Sequence, residues 1–99
     1  MAEQMGAFDE NAIEILKLFI EMTASQIEEL KAAQEAQDLK SVMEIGHSLK
    51  GAALSACLKD LGAVAAKIQD DAEAGKDCTD LVAKAEAEFI RARDEINTL

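Results

Sequence analysis

Apolar residues return every three or four positions from Ile13 to Leu99, and no proline interrupts them. That spacing matches the 3.6-residue turn of an α-helix, so each run forms a stripe that must be buried against another helix. Strands would need alternating apolar residues and turn signals that are scarce here. The recurrence of Leu, Ile, Val and Phe at helical spacing also argues against disorder, even with 30% charged residues. A chain of 99 residues holds enough apolar surface for one core but not two, so residues 1–99 are read as a single domain.

The helix signals divide the chain. Asp9 is a candidate cap for the first helix, and Ile13, Leu16, Ile20, Ile27 and Leu30 share one face. Thr23 to Gln26 resembles a capping box, which leaves two options: a bend into a short lead helix and a longer second one, or one continuous helix. Asp38 is the natural cap of the next helix, whose stripe is Val42, Ile45, Leu49, Ala52, Ala53 and Ala56. After a turn near Cys57 to Lys59 come Leu61, Val64, Ala65, Ile68 and Ala72, with Gly75 as a left-handed stop. Asp77 or Thr79 starts the last helix, with Leu81, Ala85, Phe89, Ala92, Ile96 and Leu99 inward. Short connections make neighbours antiparallel. The expected fold is all-α, an antiparallel up-and-down four-helix bundle with a short N-terminal lead helix.

The net charge of −10 makes the average surface repel nucleic acid and anionic lipid, so neither is an expected partner. No basic, apolar leader opens the chain and no apolar run reaches membrane-spanning length, so Met1 to Ala7 is read as a short frayed lead-in and the address as cytoplasmic. The starting Met and the caps favour a free-standing protein over an excised domain. Cys57 and Cys78 have neither CxxC nor metal-ligand spacing and are read as free thiols.

One segment stands apart. Ile45-Gly46-His47-Ser48-Leu49-Lys50-Gly51-Ala52-Ala53 carries the only histidine, in mid-helix. His47 points roughly 165° from the centre of the stripe through Val42, Leu49 and Ala56, so its ring is expected to face water. A lone exposed histidine is most often solvated surface. Lys50 and Gly51 change that reading, because residues three and four positions on share its face. A mid-helix glycine costs roughly 0.5–1 kcal/mol relative to alanine, so Gly46 and Gly51 each need a purpose. Gly51 removes bulk beside His47, letting a partner's surface approach the imidazole. Gly46 lies nearer the core edge, where close helix packing explains it. Lys50 supplies a mobile positive charge for a phosphoryl group on a ring nitrogen, worth about 1 kcal/mol at 4 Å in water. Met43 and Leu54 place apolar surface on the same side, as a docking patch would.

This segment resembles the histidine phosphotransfer (HPt) domains of two-component phosphorelays, through His47-x-Leu49-Lys50-Gly51-x-Ala53 and more loosely from Phe8-Asp9 to Ala74-Gly75. The resemblance implies a four-helix bundle whose His47 exchanges phosphate with receiver-domain aspartates through its outer ring nitrogen. It also implies that Gln69, 22 residues further on, holds the inner N–H with its amide oxygen. The implied partners are response-regulator receiver domains and a hybrid sensor histidine kinase. Two departures stand out. Cys57 occupies the place of the family's usual second glycine, so the following turn is expected to differ in detail. The basic residues some members carry near the site are missing around Glu73, which implies weaker stabilisation of the phosphate.

Phosphoryl transfer needs in-line positioning and charge neutralisation, yet this chain has no carboxylate cluster that clearly holds Mg²⁺ and no nucleotide-binding glycine loop. The expectation is a monomeric phosphocarrier without kinase activity, cofactor or metal, with Mg²⁺ on the partner receiver domain. Metal binding by His47 is disfavoured because no second ligand shares its face. Two rival readings remain. Gly46-His47-Ser48-Leu49 also resembles the core of peptidyl carrier proteins, in which Ser48 would bear phosphopantetheine, although that serine starts a helix and this one lies within an unbroken stripe. A helical interaction module, with Met43 and Leu54 binding a partner helix, needs no chemistry but gives Lys50 and Gly51 no shared purpose.

Overall fold

The computed structural model describes residues 10–98, with side chains from Ile13 onward. They form four helices: α1 (Glu10–Glu35), α2 (Leu39–Ser55), α3 (Lys59–Glu73) and α4 (Thr79–Asn97). The cap expected at Asp9, the lead-in Met1 to Ala7 and the inward position of Leu99 lie outside the described residues. None of the described helices is long and apolar enough to cross a membrane.

α1 runs unbroken through Thr23 to Gln26, so the stretch expected as a short lead helix is, among the described residues, the first half of α1. Neither side chain of the apparent capping box acts as a cap. Thr23 is 1% exposed on the seam between Ile20 and Ile27, and its hydroxyl has no hydrogen-bond partner among the described residues. Gln26 instead reaches across to α2 and donates from Nε2 to the Ser48 hydroxyl at 3.0 Å.

The helices neighbour one another in a ring, α1 against α2 and α4, and α3 against the same two. Leu30, Val42, Leu49, Leu61 and Ile68 are its fully buried large side chains. Burying a side chain of that size stabilises by about 1.5–3 kcal/mol. All five residues expected to line α3 are buried, and so is Gly62. In α2 the buried set is Val42, Gly46, Leu49 and Ala53, whereas Ile45, Ala52 and Ala56 are only half-buried. The stripe is turned because α3 lies close against the Gly46 side. In α4, Val82 takes the buried place expected for Leu81, which packs at the edge of the core. Cys78, just before α4, is fully buried beside the Ile68 carbonyl, and burial, helped by Asp71 and Asp77, pushes its thiol pKa up. Both cysteines are free.

Three turns join the helices, and all stop the preceding helix alike. The N–H groups of Asp38, Leu58 and Lys76 reach back to the carbonyls of Ala33, Ala53 and Asp71 at 2.8–2.9 Å. Those of Gln37, Cys57 and Gly75 reach Gln34, Leu54 and Ala72. This double bond pattern requires a left-handed residue at the turn, and Gln37 (φ 56°), Cys57 (φ 62°) and Gly75 (φ 78°) supply it. At the start of α2, Asp38 caps as expected, accepting from the Ser41 N–H at 3.3 Å and from its hydroxyl at 2.7 Å. Those bonds hold the Asp38 carboxyl pKa below its usual value.

Candidate functional site

α2 is the helix on which the site is built, and its two sides face different surroundings. Val42, Leu49 and Ala53 anchor the inner side in the core, while His47 is exposed on the outer side. Helical side chains lean toward the N-terminus of their helix, so the ring lies over the turn carrying Met43 and Glu44. Those two residues, His47 and Gln69 of α3 line one shallow recess of about 360 Å³. The structure therefore brings Gln69 to His47. Among the described residues no hydrogen bond joins the two.

Space around the ring is set by the two glycines. A Cβ built at Gly51 meets no atom within 4 Å, which leaves the C-terminal side of His47 open to an incoming surface. A Cβ at Gly46 would lie 3.1 Å from Ile68 Cγ2, 3.2 Å from the Gln69 backbone nitrogen and 3.3 Å from the Ala65 carbonyl oxygen. Gly46 is thus the contact that draws α3 close enough for Gln69 to reach the recess.

Lys50 is half-buried three residues on from His47, a same-face position on α2. Among the described residues it has no carboxylate within 4 Å, which leaves its ammonium available to an anion. No cluster of three or more His, Cys, Asp or Glu that could hold a metal ion occurs among the described residues.

The expected docking patch changes in extent. Met43 is half-buried and packs against the core, so its contribution is partial. Leu54 is 53% exposed and leans on α3, where a Cβ at Gly62 would come within 2.9 Å of its Cδ2. Sequence reasoning missed a larger apolar surface on α1, where Ile15, Leu18 and Met22 are 67%, 60% and 65% exposed. The Gln26–Ser48 bond fixes that side of α1 against the α2 surface. Met22 follows one turn from Gln26, with Leu18 and Ile15 beyond. The signal was present: three apolar residues at helical spacing, off the core seam of the same helix. Glu44 was also missed, although three residues before a histidine is a same-face position.

Ser48 sits well inside α2, not at a helix start following a loop, and its hydroxyl is engaged by Gln26. That placement does not suit a phosphopantetheine carrier. Cys57 holds a left-handed backbone at the turn after α2, a conformation in which a glycine carries no Cβ penalty.

Comparison with curated proteins and with solved structures returns no match. The family model described as Hpt domain matches residues 14–99. With an exposed mid-helix histidine, a lysine and an open glycine on its face and a match over nearly the whole chain, this protein belongs to the Hpt domain family, the histidine phosphotransfer modules of two-component phosphorelays.

Proposed function

We propose that His47 accepts a phosphoryl group from an aspartate of one receiver domain and passes it to an aspartate of another. The observation that carries this reading is the exposed ring of His47 with open space at Gly51 and a cation at Lys50 that has no carboxylate partner among the described residues. The outer nitrogen, Nε2, attacks phosphorus in line with the bond to the donor aspartate. That bond breaks and the carboxylate leaves, while the ring keeps its inner proton and becomes an N-phosphoryl imidazolium. A second aspartate oxygen then attacks the same phosphorus, and the ring leaves as neutral imidazole. Lys50 offsets charge on the phosphoryl oxygens, and the Gln69 amide oxygen accepts from the inner N–H. Mg²⁺ comes with the receiver, and the chain acts as a carrier without kinase activity of its own.

The bundle serves this role as an antiparallel up-and-down scaffold and a cytoplasmic monomer. Contacts between opposite helix ends support the antiparallel order: Lys31 near the end of α1 pairs with Glu86 of α4 at 2.9 Å, and Gln34 bonds Asp77 just before α4. The apolar residues Ile15, Leu18, Met22 and Leu54 extend the receiver-docking surface proposed around His47.

The test mixes the protein with a panel of phosphorylated receiver domains and follows acid-labile, base-stable phosphate. Label should appear on His47 and vanish in His47→Gln, whereas ATP and Mg²⁺ alone should leave the protein unlabelled. Label from ATP alone, or label that survives His47→Gln, contradicts the proposal.

A further inference from the structure

On α2, His47 has an acidic residue three positions before it and a basic one three positions after it. Glu44, three residues before His47, lines the recess with it, Gln69 and Met43, and Lys50 lies three residues after it on the same helix face. Among the described residues Glu44, like Lys50, has neither an ion pair nor a side-chain hydrogen bond, so nothing else engages its carboxylate. Lys40 also falls on this face of α2, two turns before His47. From the packed helices, Gln69 of α3 and Gln26 of α1 approach this side, and neither titrates. Glu73, one turn beyond Gln69 on α3, adds a second negative charge further off. Glu44 is the acidic group in the recess itself.

We infer that Glu44 is a positioning residue for the phosphohistidine, its carboxylate charge in the shared recess favouring the inner ring proton that Gln69 accepts and so keeping the phosphorylated ring cationic. This rests on the phosphocarrier reading above. A phosphohistidine is easiest to break when its ring carries both the phosphoryl group and a proton, because the ring then leaves as neutral imidazole. A negative charge beside the inner nitrogen favours that form, while a positive charge near the outer nitrogen favours the phosphoryl oxygens. The two charges thus divide the work, with Lys50 helping phosphate arrive and Glu44 keeping it ready to leave. The carrier is thereby tuned for onward transfer over storage.

The test loads the full chain with phosphoramidate, a small donor whose P–N bond breaks with loss of ammonia and which needs no receiver. Loading is read by intact mass, and loss of phosphate is followed across a pH series for wild type, Glu44→Gln and Glu44→Asp. In Glu44→Gln the decline of lability with rising pH should begin at lower pH, so that at about pH 8 its phosphohistidine outlives the wild type by about three- to tenfold, the effect of one unit charge a few ångströms away in largely aqueous surroundings. Toward acid pH the two lifetimes should converge. Glu44→Asp, which keeps the charge, should stay closer to wild type. Coincident pH profiles for wild type and Glu44→Gln overturn the Glu44 inference alone. A shifted profile in a protein that exchanges phosphate with no receiver domain overturns the receiver reading and leaves Glu44 in place. Failure of the wild type to load contradicts an accessible His47 and overturns both.

Discussion

Gly46 and Gly51 lie on the same helix, five residues apart, and do opposite things. A methyl group at Gly46 would press on the backbone of α3, whereas one at Gly51 would touch nothing. The first glycine lets two helices approach within one protein. The second leaves room for a surface this protein does not contain. An open mid-helix glycine that the fold does not require fits the receiver docking proposed above.

The comparison can be broken at either glycine, and the largest expected effect is at the open one. Gly51→Gln should cut phosphotransfer from a receiver domain by tenfold or more through bulk, the size of losing about 1.4 kcal/mol of productive contact. Its fold should be intact, and Gly51→Ala should gain roughly 0.5–1 kcal/mol of stability by removing a mid-helix glycine, read as a raised midpoint in urea. Gly46→Ala should do the reverse. The same propensity gain is opposed by overpacking against Ile68, Gln69 and Ala65, for a net loss of about 1 kcal/mol in the same titration. Equal stability changes at the two positions would erase the distinction drawn between them.

A smaller effect extends the comparison to the turns, where backbone conformation and not space decides. Cys57 holds a left-handed conformation at φ 62° that costs an ordinary residue about 1–2 kcal/mol. Cys57→Gly should therefore stabilise by about 1 kcal/mol, and Gly75→Ala should destabilise by a similar amount, both measured by thermal unfolding. The smallest effect is at Asp38. Its bonds to Ser41 lower the carboxyl pKa in the folded state, so it contributes stability above the unfolded aspartate value. That contribution is lost as pH falls below about 4, and Asp38→Ala should flatten the acid limb of the stability curve by a small amount.

Much of this was legible in the residues. The α3 stripe, the Asp38 cap, the Gly75 stop and the exposure of His47 follow from helical periodicity and cap chemistry, which are local properties. What local rules missed depends on neighbours. Thr23 to Gln26 has the composition of a capping box, but burial of Thr23 against the bundle and the reach of Gln26 to Ser48 keep α1 continuous. Val82 is buried in place of Leu81 because the facing helices, not the wheel alone, decide which of two adjacent apolar residues turns inward. Gln37 and Cys57 are left-handed without being glycine, since each turn's hydrogen bonds require that conformation whichever residue is present. At the site, His47, Lys50 and Gly51 were found through same-face spacing within one helix. The family resemblance supplied Gln69, and the α2–α3 contact at Gly46 is what sets it beside the ring. The apolar face of α1 is harder to read, because Ile15, Leu18 and Met22 lie beside the core seam and periodicity within one helix does not show which of two adjacent stripes the bundle leaves exposed.

The most direct test compares two donors on one variant. Gly51→Gln and wild type are each offered phosphoramidate and a phosphorylated receiver domain, and the rate of His47 phosphorylation is measured with both. The account predicts similar rates from the small donor and at least a tenfold loss with the receiver, because only a protein surface needs the space at Gly51. Equal receiver rates for the two proteins would contradict it.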